Sequence, residues 1–224
     1  MPLILILVDS GIELIPKSIR SHSAVKRTIS KKNYASQLLD NALHHTAMHL
    51  LRDNQKRGRP DLVHLCLLNA LGSPLNKNKN LKLYLHTNRS KIFHFNPEIR
   101  ITRNFNRFKG LMAKLLIDGQ IKVKEGFLIS QFRGNLVELL DTISDPEVYL
   151  FSHKGALEYP VQDLFQSEIS KNIVAVIGGF QKGFFSKMVL SLSDRLISIS
   201  KYKLDAWIVV SKIINSYEMA YNIF

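Results

Sequence analysis

The sequence predicts an α/β fold, a mainly parallel sheet flanked by helices, within one domain over residues 1–224. Three observations carry that expectation. Residues 3–8 (LILILV) form a continuous apolar run, the pattern of a strand buried on both faces. From residue 148, apolar runs at 148–151, 173–177 and 196–199 alternate with loops and helix-like stretches, as in parallel sheets with helical crossovers. The charge is also divided: residues 1–110 hold 19 Lys and Arg against six Asp and Glu, whereas residues 111–224 hold twelve of each. The whole excess of +13 thus lies in the first half, which marks a polyanion-binding half joined to one with another task.

In chain order, residues 3–8 read as the central strand. The run is too short to span a bilayer, has no basic leader and ends at Asp9. That fits a strand of an intracellular protein. Residues 17–32 are polar, basic and weakly periodic, and read as an extended loop. Residues 37–51 carry a helical apolar stripe of Leu38, Leu39, Ala42, Leu43, Ala47, Leu50 and Leu51. Residues 54–60 (NQKRGRP) are a basic turn, and a helix over 62–71 closes at Gly72-Ser-Pro74. Residues 81–86 and 92–95 flank Asn88-Arg89-Ser90 as a hairpin. Residues 120–131 alternate like a strand, 135–143 suit a short helix, and 144–146 a turn. Helices are expected at 184–192 and 204–221.

The most informative stretch is 100–116 (RITRNFNRFKGLMAKLL). Phe105, Phe108, Leu111, Met112, Leu115 and Leu116 recur at spacings of three and four, while Arg103, Arg107 and Lys114 fall opposite. Arg100 projects to the same side if the helical path extends back to it. A packed face then aims a basic face at solvent.

Other patterns are weaker. Residues 177–187 (IGGFQKGFFSK) follow a strand and open a helix, but their glycines are spaced GGxxxG, neither a Walker motif nor GxGxxG. They suit a tight turn or a nucleotide-like ligand against bare backbone. His45 and His49 have the spacing of a helical zinc pair, yet Thr46 stands where a metalloprotease needs Glu, and no third ligand is near. Asp40 and His44 read as a structural pair. Cys66, alone in an apolar run, reads as a buried small hydrophobe; one cysteine excludes a disulfide framework. In Arg57-Gly58-Arg59-Pro60-Asp61, Asp61 can cap the next helix or hold Arg59 with its guanidinium outward. Tyr84, Phe93, Phe105 and Phe108 could stack on bases, though most suit the core.

Taken in order, LLDNALHHTAMHLL, RGRPDLVHLCLL, SPLNKNKNLKLYLHT and RITRNFNRFKGLMAKLL resemble the ribosome-biogenesis pseudouridine N1-methyltransferases of archaea and eukaryotes, in the SPOUT superfamily. The resemblance spans nearly the whole chain. It implies a trefoil-knotted fold, an exception to the rule against threading. Residues 1–110 would be the RNA-binding half and about 148–224 the knotted half that binds S-adenosylmethionine. It maps cofactor binding onto His153, onto Gly178 and Gly183, and onto Leu196, Ile197, Ser198, Ile199, Ser200 and Lys201. It maps RNA contacts onto Arg59, Arg100, Arg103 and Arg107, with Asp61 steadying Arg59 and only a low-ranked candidate for catalysis. It implies a homodimer, small-subunit ribosomal RNA as substrate, ribosomal proteins as further partners and no metal. Lacking an acidic N-terminal extension, the chain resembles the archaeal, cytoplasmic type. The rival expectation is a non-catalytic assembly factor that chaperones ribosomal RNA; a DNA-binding module lacks any helix-turn-helix or zinc pattern.

Overall fold

The computed structural model describes residues 2–124, 126–165 and 172–224. Eight strands make one sheet: β1 (Leu3–Ser10), β2 (Leu81–Thr87), β3 (Ile92–Phe95), β4 (Gln120–Val123), β5 (Gly126–Phe132), β6 (Pro146–Leu157), β7 (Asn172–Gly178) and β8 (Leu196–Ser198). Their order is β4-β5-β3-β2-β1-β7-β6-β8. Pairings β1–β2, β1–β7, β6–β7 and β6–β8 are parallel; β2–β3, β3–β5 and β4–β5 are antiparallel. The helices are α1 (Ser23–Lys26), α2 (Asn41–Met48), α3 (Pro60–Gly72), α4 (Pro74–Lys77), α5 (Phe105–Asp118), α6 (Leu136–Asp141), α7 (Lys187–Leu190) and α8 (Ala206–Ala220). No described helix is long and apolar enough to cross a membrane.

Strand β1 divides the core because successive side chains of a strand point to opposite faces. Leu3, Leu5 and Leu7 enter the larger cluster with Val63, Cys66 and Leu67 of α3, Phe108 and Met112 of α5, and Val210 and Ile213 of α8. Ile4, Ile6 and Val8 enter the second, with Leu136 and Leu139 of α6 and Val189 of α7. Each such buried side chain contributes about 1.5–3 kcal/mol. A continuous apolar run was therefore the right signature for the middle of the sheet.

The C-terminal part of the sheet closes around β8. Ile197 pairs with both Phe151 and Ala156, so β6 bends around it. Leu150 N–H donates to Arg195 O, and Glu158 N–H to Ser198 O, both at 2.9 Å. At the crossing stands Gly155, where a Cβ would lie 2.5 Å from Leu196 C and O and Ile197 N.

Several boundaries move, each for a local reason. The helix expected from residue 100 starts at Phe105, because the Asn104 side chain accepts from Arg107 N–H (3.0 Å) and caps it there. Arg100 and Arg103 therefore lie on irregular chain. Residues 37–51 shorten to α2 because Asp40 caps the helix through Ala42 N–H. Leu38 and Leu39 are extended and buried, while Leu43 and Leu50 are exposed at 46% and 70%. The expected loop at 17–32 contains a 3₁₀ turn and α1. Residues 120–131 are two antiparallel strands rather than one. The helix at 184–192 shrinks to α7, capped by the Ser186 hydroxyl through Val189 N–H.

Candidate functional site

The carboxyl ends of the parallel strands open into a pocket, the position ligands take in open α/β sheets. Three segments line it. The bent middle of β6 contributes Phe151, Ser152 and His153; the end of β7 and the loop after it contribute Gly178, Phe180, Gln181, Gly183, Phe184 and Phe185; β8 and the chain beyond contribute Ile197–Ser200, Tyr202, Lys203 and Leu204. Ala206 and Val209 of α8 form part of the wall. Of the residues expected from sequence, His153, Gly178, Gly183, Ile197, Ser198, Ile199 and Ser200 come together here. Leu196 does not: alternation turns it toward the second core cluster. Lys201 is exposed and outside the lining.

The lining suits a ligand with both apolar and polar parts. Phe151, Ile177, Leu204 and Val209 give apolar surface, and the glycines leave backbone bare. Gly183 has φ +115°, open to glycine but strained for other residues. The third loop is self-braced: Ser198 Oγ donates to Ser200 O at 2.8 Å, and Tyr202 N–H to Ser200 Oγ at 3.0 Å.

The basic turn adjoins this pocket. Gly58, at φ +60° and where a Cβ would meet Met48 Cε at 3.0 Å, makes the bend, and Pro60 opens α3. Arg59 Nε and Nη2 donate to the two Asp61 carboxylate oxygens at 2.8 and 2.7 Å. Those bonds raise the guanidinium above its ordinary pKa against the opposing effect of burial, and Asp205 and Asp40 add to them. Burial alone would raise Asp61, but Arg59 outweighs it and holds the carboxyl below its usual range. Asp205 stands at the N-cap position of α8, just past the pocket's third loop, without a side-chain capping bond.

Two hydrogen bonds join turn and pocket through Gly11. Its N–H donates to Gly179 O (2.9 Å), and its C=O accepts from Arg59 N–H (2.7 Å). A Cβ there would meet Lys56 O at 2.6 Å. The remaining arginines sit on the neighbouring element. His64 of α3 hydrogen-bonds Thr102 O (2.7 Å) and stacks on Phe108 with ring centroids 4.2 Å apart. That pins the 100–103 segment beside the helix that Arg59 opens, and Arg100, Arg103 and Arg107 are all exposed. Phe93 and Phe108 are fully buried and serve the core.

These elements have known counterparts. The family model described as EMG1/NEP1 methyltransferase matches residues 5–218. The chain belongs to that family. It is 39% identical over 225 residues to the ribosomal RNA small subunit methyltransferase Nep1 of Staphylothermus marinus, covering 99% of this chain and 97% of the relative. It is 37% identical over 218 residues to the protein of that name from Pyrococcus furiosus, covering 96% and 95%. The crystal structure of Archaeoglobus fulgidus Nep1 bound to S-adenosylhomocysteine superposes with a TM-score of 0.84 at 32% identity, over 99% of this chain and all of that one. As an EMG1/NEP1 methyltransferase the chain has the SPOUT-type fold that its motifs implied.

Some participants escaped the sequence reading. Glu13 is buried at 3% exposure and accepts from Arg57 (2.6 and 2.7 Å), Asn88 (2.6 Å) and Arg89 (3.2 Å). Lys109, on the apolar side of α5, is buried against Asp40 at 2.9 Å. An acid in an apolar stretch of a basic half, as in GIELI, was the available signal for Glu13. Asp40 and His44 are a structural pair: Asp40 N–H donates to His44 Nδ1 (3.1 Å), and His44 Nε2 meets Thr28 Oγ1 (2.8 Å). His45 and His49 meet edge to face, and among the described residues no three His, Cys, Asp or Glu gather as metal ligands.

Proposed function

We propose that this protein transfers a methyl group from S-adenosylmethionine to N1 of a pseudouridine in small-subunit ribosomal RNA. On this reading it acts during small-subunit assembly, in the cytoplasm and as a homodimer, in contact with ribosomal proteins. One observation carries the proposal: the arginine turn and the pocket loop share Gly11, bonded to Arg59 on one side and Gly179 on the other. The Archaeoglobus relative, named as bound to S-adenosylhomocysteine, supports the assignment of the pocket.

S-adenosylmethionine supplies a methyl group on a sulfonium, activated toward a nitrogen nucleophile. This chain's residues do the rest by holding and orienting. The three segments seat the cofactor, with Gly178 and Gly183 allowing close backbone approach and His153 at the mouth. Arg100, Arg103 and Arg107 grip phosphates, while Arg59, held by Asp61 with its side chain only 16% exposed, faces the incoming base. A paired base hides its reacting edge, so the target must lie in a loop or be flipped out. Alignment of nitrogen, methyl and sulfur is a positioning task, the kind of contribution that rigid loops make. The cationic surroundings lower the cost of removing the N1 proton, because positive charge favours the anionic base. Asp61 is committed to Arg59 and orients it.

Calorimetry with S-adenosylmethionine tests the cofactor half of the proposal: binding supports the enzyme, and no binding leaves only the assembly-factor rival. Mass spectrometry of nucleosides from small-subunit RNA tests the product. Cells lacking the protein should lose one N1-methylpseudouridine and regain it on complementation; an unchanged profile would sink the proposal.

A further inference from the structure

The turn at residues 54–60 carries three cations with different commitments. Arg57 is spent on buried Glu13, and Arg59 on Asp61. Lys56 instead crosses to the pocket loop. Its Nζ lies 3.4 Å from Asp9 Oδ2 and 4.7 Å from the centre of the Phe180 ring. Its stem runs past Gly183, where a Cβ would meet Lys56 Cε at 3.0 Å and Cγ at 3.4 Å.

Asp9 holds the far end of the same loop. Its carboxylate accepts from Ser186 N–H (2.8 Å) and from Ser186 Oγ (3.1 Å). It stands at the end of the central strand with φ 49°, a left-handed conformation costly for a non-glycine residue. Its own N–H donates to His86 Nδ1 at 3.2 Å, which steadies that conformation. Lys56 therefore engages Phe180 and the Gly183 backbone, and Asp9 engages both Lys56 and Ser186. Between these points lie Gln181, Phe184 and Phe185, all lining the pocket.

We propose that Lys56, paired with Asp9, is a positioning residue for methyl transfer: it clamps the 180–186 loop in the shape that accepts the cofactor. This rests on the reading that the pocket binds S-adenosylmethionine. Lys56 then acts through Phe180 and Gly183 and grips no RNA, unlike Arg59 on its own turn. A shared turn also means that RNA docking at Arg59 and cofactor seating two loops away bear on the same short backbone.

The test uses the full chain with Lys56→Met, Lys56→Arg and Phe180→Leu. S-adenosylhomocysteine binding is measured by calorimetry, binding of a small-subunit rRNA transcript over a salt series, and steady-state methylation. Loss of a partly desolvated cation–π contact and its ion pair should raise the S-adenosylhomocysteine Kd and the cofactor KM of Lys56→Met about tenfold. kcat should change much less, and the salt slope of RNA binding should not move. Lys56→Arg, which keeps charge and ring contact, should recover most of the affinity. Phe180→Leu should weaken cofactor binding in the same direction, and if Lys56→Met fails to fold, unchanged affinity in Phe180→Leu overturns the clamp while recovery in Lys56→Arg supports it. Unchanged cofactor affinity in both Lys56→Met and Phe180→Leu would overturn the proposal, as would a salt slope lowered by about one unit, the mark of a lost phosphate contact. Failure of the unaltered protein to bind S-adenosylhomocysteine would instead sink the reading of the pocket.

Discussion

Replacing Gly155 with alanine puts one methyl group where the chain crosses itself. The new Cβ would sit 2.5 Å from Ile197 N and from Leu196 C and O. Favourable separations between such atoms are about 3.5–4.0 Å, so the overlap is about 1 Å against backbone, with no flexible side chain to yield. Relief requires β8 to move away from the bend of β6. That strains the Leu150–Arg195 and Glu158–Ser198 hydrogen bonds, each worth about 1 kcal/mol net. Overpacking adds about 1–3 kcal/mol. The total is about 3–5 kcal/mol, and at about 2–4 °C per kcal/mol for a domain of this size Tm should fall by about 10 °C. Scanning calorimetry at one fixed scan rate measures it. Gly72→Ala is the control of opposite sign: nothing lies within 4 Å of its Cβ position, so a gain of about 0.5–1 kcal/mol is expected. A Gly155→Ala protein melting within about 2 °C of the unaltered one would show that the crossing is not tightly packed.

Three further predictions concern charge and access. Arg103→Ala and Arg107→Ala should each lower the slope of log K against log salt for RNA binding by about one unit, and an unchanged slope would remove them from the phosphate contacts. For Asp61 the folded pKa lies below the ordinary 3.8, so its stabilising contribution is present above that value and is lost as pH falls through the lowered one. Urea midpoints of the unaltered protein and Asp61→Asn should therefore differ by a constant amount down to about pH 5 and draw together as acid protonates the carboxyl; equal midpoints at about pH 6 would contradict the Arg59 pairing. Burial pushes the Cys66 thiol up to about 12, so a maleimide should leave it untouched in the native protein at neutral pH and label it fully in denaturant. Rapid native labelling would refute its burial.

Much of this architecture was legible because the signals are periodic. The apolar run at 3–8 announced a strand buried on both sides, and the repeating apolar runs after 148 announced the parallel half. The arginine helix was legible in its packing face but not in its start, since Asn104 ends the helical path with one hydrogen bond that no three-and-four spacing reveals. Of the nine residues that the family resemblance assigned to the cofactor, seven line the pocket. The two that fell outside did so because strand alternation turns Leu196 inward and because Lys201 extends into solvent. Asp9, Glu13 and Lys56 were not legible as partners. Each makes its contacts across at least 44 residues of sequence, and local pattern does not encode which distant loop a charge will meet.

At the edge of the sheet farthest from the crossing lies β4, whose outer side has no strand partner among the described residues. An open edge of this kind is a template on which other chains can add strands. Here the register slips between Ile121 and Lys122, and Lys122 lies over the Phe127 ring at 5.0 Å. A bulge and a lysine are both deterrents to ladder growth, because one spoils the hydrogen-bond spacing and the other must be desolvated. Polymerisation through this edge of the sheet is thereby discouraged.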